Sequence, residues 1–98
     1  MNITKAREGD SLLIALERRL DTTTAPALDA EVKQELPGVK ELSFDFSNLE
    51  YVSSAGLRVL LSAQKVMNRQ GSMVIRNASE AIKEIFDVTG FIGILTLK

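Results

Sequence analysis

Apolar positions along this chain recur with two different periods, and the periods separate strands from helices. Residues 12–16, Leu-Leu-Ile-Ala-Leu, are apolar without a break over one strand's length, the pattern of a strand buried on both faces. Residues 42–46 alternate, with Leu42, Phe44 and Phe46 set against Ser43 and Asp45, which predicts a strand with one apolar face. Residues 2–6 form a weaker edge strand, joined to 12–16 as an antiparallel pair through a turn at Glu8-Gly9-Asp10. Met73-Val74-Ile75 is a short buried strand, and residues 94–97 read as a last one.

The helical period occupies the gaps. Asp21-Thr22-Thr23-Thr24 followed by Pro26 starts a helix, since aspartate or threonine caps and proline fits a first turn where its missing N–H costs nothing. Leu28, Val32 and Leu36 recur at helical spacing until Pro37-Gly38 stops the run. Over residues 55–70 the apolar set is Leu57, Leu60, Leu61, Ala63, Val66 and Met67, opposite a polar stripe of Arg58, Ser62, Lys65 and Arg69. Gly71 ends that helix. Ser79 caps a third, carrying Ala81, Ile82, Ile85 and Phe86 and closed by Gly90. The residues between the strand at 42–46 and the second helix, Ser47 to Val52, read as a connector.

The resulting order, β-β-α-β-α-β-α-β, predicts an α/β fold: one small domain over residues 1–98, with a mixed, mostly parallel sheet and helices packed on it. The strands at 12–16, 42–46 and 73–75 are expected as neighbours. Phe44, Leu60 and Ile85 are expected in the core.

Composition narrows the function by exclusion. The chain's 12 basic and 13 acidic residues leave a net charge of −1, which gives no electrostatic basis for nucleic acid or an anionic membrane as the main partner. Cysteine and histidine are both absent, removing the thiolate nucleophile, the commonest general base and the commonest transition-metal ligands. No P-loop glycine pattern is present, and no cofactor is expected. No segment approaches the roughly 20 apolar residues of a spanning helix, and the first residues carry no apolar signal core, so a cytoplasmic protein without catalytic activity is expected.

The most informative stretch is Tyr51-Val-Ser-Ser-Ala-Gly-Leu-Arg58, where two adjacent serines open the longest helix. Either Ser53 or Ser54 can satisfy the orphan N–H groups of the first turn, and Gly56 lets that turn pack closely. The same position displays a hydroxyl at the positive end of a helix dipole, where phosphate is well tolerated.

The string from Asp45 to Leu57, Asp-Phe-Ser-Asn-Leu-Glu-Tyr-Val-Ser-Ser-Ala-Gly-Leu, resembles the signature of the bacterial anti-sigma factor antagonist family, the STAS domain. Leu20-Asp21-Thr-Thr-Thr resembles the opening of that family's first helix, and the segment from Val74 to Phe91 its closing strand-helix-glycine part. The resemblance implies a partner-switching protein. In its unphosphorylated form it would bind an anti-sigma factor that is also a serine kinase, and so release a sigma factor. Phosphate on the motif serine would block that binding, and a PP2C-type phosphatase would restore it. Carried onto this chain, Ser54 takes the acceptor position and Ser53 stands where the family usually has aspartate, which makes Ser53 a competing acceptor. Asp21, Thr22, Ser53, Ser54, Ala55, Gly56 and Arg58 form the implied partner-binding set. STAS domains also serve as constitutive accessory subunits of transporters or sensory assemblies, and that is the competing reading.

Overall fold

The computed structural model describes residues 2–98. Its elements run β1 (Ile3–Glu8), β2 (Ser11–Leu20), α1 (Ala25–Glu35), β3 (Glu41–Val52), α2 (Ser54–Gln70), β4 (Ser72–Arg76) and α3 (Glu80–Val88), followed by a 3₁₀ turn at Phe91–Gly93. The strands form one four-stranded sheet in the order β1-β2-β3-β4. The β1–β2 pair is antiparallel, while β2–β3 and β3–β4 are parallel, as the alternation of elements predicts. Gly9, at φ +62°, supplies the left-handed residue of the β1–β2 hairpin.

Register explains which side chains make the core. The cross-strand rows Leu12–Leu42–Met73 and Ile14–Phe44–Ile75 are buried and face the helices. The alternate rows, Leu13–Ser43–Val74 and Ala15–Asp45–Arg76, lie on the other side, where Leu13 and Arg76 are exposed. The sheet is therefore covered on one side, and β2 is not buried on both faces. Its unbroken apolar run misled because Leu13 and Ala15 occupy an open sheet surface that they share with Ser43, Asp45, Val74 and Arg76. Over the covered side, Phe46 packs between Phe44 (ring centroids 6.1 Å apart) and Phe86 of α3 (6.5 Å).

Four further expectations are corrected. Ser47 to Val52 is no connector, because β3 stays paired with β2 as far as Leu20↔Val52. Two bulges make this possible by putting one extra residue each into β3, between Ala15/Glu17 and between Arg18/Arg19, with Arg18 at φ +70°. At the first bulge the Asp45 carboxylate accepts hydrogen bonds from the Ser47 N–H and hydroxyl, and from the Asn77 side-chain amide at 3.0 Å. The strand expected at 94–97 reduces to a single bridge, Ile75↔Leu97, because residues 91–93 are spent on the 3₁₀ turn.

The face of α2 is also rotated from the expected one. Leu57, Leu60, Ala63 and Met67 are buried as expected, but Val59 and Gln64 join them, while Leu61 is half-buried and Val66 is 40% exposed. Packing decides this: α2 lies against β3, β4 and α1, and Val59 turns toward α1. In α3, Ile82 and Phe86 are fully buried whereas Ile85 is only half-buried at the margin of the core. Gly71 is required by proximity, since a Cβ there would lie 1.9 Å from the Lys40 carbonyl oxygen.

Candidate functional site

The parallel pairing of β2 with β3 brings their carboxyl ends together, and with them the two loops that the sequence singles out. Val52 lies beside Leu20, and the next residue, Ser53, donates its backbone N–H to the Leu20 carbonyl at 2.8 Å. The turn beginning at Asp21 and the head of α2 beginning at Ser54 are thus neighbours, at the end of the sheet where open α/β folds place their sites. Gly56 makes the approach possible. A Cβ on it would lie 2.6 Å from Leu20 Cγ and 2.9 Å from the Leu20 carbonyl oxygen, so any side chain would push the two loops apart.

The two serines take different tasks. Ser53, in an extended backbone conformation, is the N-cap, and its hydroxyl oxygen accepts the Gly56 N–H at 3.4 Å. Ser54 is the first helical residue and is exposed. The cap is therefore supplied without Ser54, whose hydroxyl faces solvent at the positive end of a helix of 17 residues.

Asp21 organises the neighbouring turn. Its Oδ1 accepts the Thr23 hydroxyl at 2.7 Å, the Thr23 N–H at 3.0 Å and the Thr24 N–H at 3.2 Å, while Oδ2 meets Arg19 Nε at 3.4 Å. Thr24 Oγ1 in turn accepts the Asp21 N–H at 2.8 Å and donates to the Arg19 carbonyl at 2.9 Å. Arg19 also lies over the Tyr51 ring, 4.5 Å from its centre. The Thr23 hydroxyl, more than any other contact, holds the Asp21 carboxyl down to about 2. Because the carboxylate is preferred in the folded state, it contributes stability above its ordinary value of 3.8 that is lost as pH falls toward about 2. Thermal midpoints should therefore fall across that window more steeply for the parent than for Asp21→Asn, and parallel curves would disconnect Asp21 from acid stability.

Between α1 and α2, next to this pair of loops, runs a groove of about 540 Å³. Ala25, Pro26, Ala55 and Val59 give it an apolar lining, with Thr22 and Arg58 at the rim. Asp29 and Lys33, an ion pair at 2.9 Å along α1, line it as well. The structure thus brings all seven residues singled out in the sequence to one end of the molecule. Asp21, Thr22, Ser53 and Ser54 form the loops, Gly56 closes them together, and Ala55 and Arg58 line the groove. Sequence reasoning missed the α1 wall. Its signal was present in Pro26, Asp29 and Lys33, which share one face of α1 at spacings of three and four.

Comparison with known proteins gives the family and the fold. The family model described as "Mlab, STAS domain" matches residues 3–96, and the chain belongs to the STAS domain family. It is 31% identical to BtrV of Bordetella bronchiseptica over 96 residues, covering 96% of this chain and 83% of that protein. It is 32% identical to the anti-sigma-B factor antagonist of Listeria monocytogenes over 104 aligned positions, covering 100% of this chain and 90% of that protein. Among solved structures, the anti-sigma factor antagonist SpoIIAA in its unphosphorylated form matches with a TM-score of 0.78 at 15% identity, over 99% of this chain and 87% of that one. The Bacillus cell fate determinant SpoIIAA in its phosphorylated form matches with a TM-score of 0.77 at 16% identity, over 99% and 91%. These two likenesses concern the fold. Among the described residues, no helix is long and apolar enough to cross a membrane.

Proposed function

We propose that this chain is an anti-sigma factor antagonist that works as a binding switch in the cytoplasm and catalyses no reaction itself. Unphosphorylated, it binds an anti-sigma factor through the head of α2 and the α1–α2 groove, and so frees a sigma factor. Phosphorylation of Ser54, by that anti-sigma factor acting as a serine kinase, blocks the binding, and a PP2C-type phosphatase reverses it.

The observation that carries the reading is the division of labour between the serines. Ser53 holds the cap, so Ser54 is free for modification at a helix start next to an ionised Asp21. A phosphate adds about −1.5 to −2 charges and three acceptor oxygens. The helix dipole tolerates it, so the fold survives, while the loop end that Ser54 shares with Asp21, beside the groove, becomes strongly anionic. Any partner docked on the groove then meets a changed charge at its edge. The names borne by the relatives support the same reading.

The test is incubation with the cognate kinase and ATP, then peptide mass spectrometry across Tyr51 to Arg58. Phosphate on Ser54 is the expected result. Phosphate on Ser53 alone would move the acceptor to the capping residue. No phosphate on either serine, with partner binding intact, would favour a constitutive accessory subunit. Arg58, exposed at the groove's rim, makes a second expectation. Arg58→Glu should slow association with the anti-sigma factor, more at low salt than at high salt, as steering by a rim charge requires. Association rates that match the parent across a salt series would place Arg58 outside the interface.

A further inference from the structure

Two exposed helical surfaces of this chain complement each other in charge, spacing and apolar content. On α2, Arg58, Lys65 and Arg69 line the outward face, and none makes an ion pair among the described residues. Val66, 40% exposed, lies one residue beyond Lys65. On α3, Glu80, Glu84 and Asp87 line the outward face together with Lys83, and among the described residues only Glu80 of the three acids is paired, loosely, with Lys83 at 3.7 Å. Val88, 80% exposed, lies one residue beyond Asp87, with Ile92, 46% exposed, close by. Read antiparallel, the steps from Arg69 to Lys65 and from Glu80 to Glu84 are both four residues.

We infer that a second copy of this chain docks head to tail, the acidic, valine-bearing face of its α3 on the basic, valine-bearing face of α2. Charge complementarity selects this occupant, because the α2 face is basic and the α3 face, where Lys83 is paired with Glu80, is mainly acidic. Two copies of α3 facing each other, or two of α2, would set like charges together. The contact uses different patches on the two molecules, so each copy keeps one free face of each kind and growth continues past the dimer unless the geometry closes a ring. Exposed ion pairs are individually weak and screened, so association should be concentration-dependent and salt-sensitive. The contact would cover the α2 face beside Ser54. Self-association and the proposed partner binding would then exclude each other, but the mass in solution is read without any partner.

Sedimentation velocity of the full chain at low ionic strength tests this across a wide protein concentration range. The weight-average mass should climb above the 10.8 kDa monomer with concentration and return to it on adding salt. Lys65→Glu and Glu84→Lys should each stay monomeric under the same conditions. Both positions are exposed, so neither change should alter the fold. An equimolar mixture of the two variants should associate again, as should the double variant, because each restores opposite charges across the contact. A parent that is monomeric throughout, single variants that still associate, or a mixture that stays monomeric would each overturn the inference.

Discussion

Leu60→Ala should lower stability by about 2–5 kcal/mol, a large share of what holds a small domain together. Leu60 is fully buried in the cluster that contains Phe44, Phe46 and Met67, so truncation leaves a cavity with no solvent to fill it. Val66→Ala is the informative control. Periodicity alone puts Val66 on the same apolar face, yet it is 40% exposed and its loss should cost no more than about 0.5 kcal/mol. Denaturant midpoints of the two variants check the pair. Equal losses would mean that α2 presents to the sheet the face its sequence period suggests, and not the one seen.

That contrast shows where sequence stops being informative about this fold. Element order and strand pairing were legible because alternating strands and helices with short connections admit few topologies. What faced what was less so. An unbroken apolar run such as 12–16 has no period, and only the register Leu13–Ser43–Val74 reveals that one side of it meets no helix. The extension of β3 through Ser47 to Val52 was hidden because its two bulges break the alternation by which a strand is recognised. Residues 94–97 have strand composition, but the 3₁₀ turn before them leaves room for one bridge.

The candidate site was legible in its parts and not in its assembly. The double serine, Gly56 and the Asp21 turn each carry a local signature, but nothing local says that residues more than 30 positions apart share one edge. That follows from parallel pairing between β2 and β3, sealed by the Ser53–Leu20 hydrogen bond. Which serine caps was also open in the sequence, since both stand at the junction. The backbone decides it: Ser53 is extended and Ser54 is already helical. The α1 wall of the groove escaped because Pro26 reads as a first-turn proline and Asp29 and Lys33 as charges turned toward solvent.

Ser54→Asp should bind the anti-sigma factor about tenfold or more weakly, a loss of about 1.4 kcal/mol or greater, while Ser54→Ala should bind like the parent and resist the kinase. The reasoning is electrostatic. An ionised group at position 54 joins the Asp21 carboxylate, which stays charged far below neutral pH, on the loops beside the groove, each next in sequence to a lining residue, Ala55 and Thr22. Neither substitution removes the cap, so both variants should melt close to the parent, and a binding loss can then be assigned to the interface. Ser53→Ala is the opposite case. It removes the cap at about 0.5–2 kcal/mol, toward the lower end because the 3.4 Å hydrogen bond is long, and leaves the acceptor in place. Titration calorimetry against the anti-sigma factor, with melting curves beside it, separates the two roles. Parent-like affinity for Ser54→Asp would remove the charge switch from this site and leave the groove as a permanent docking surface.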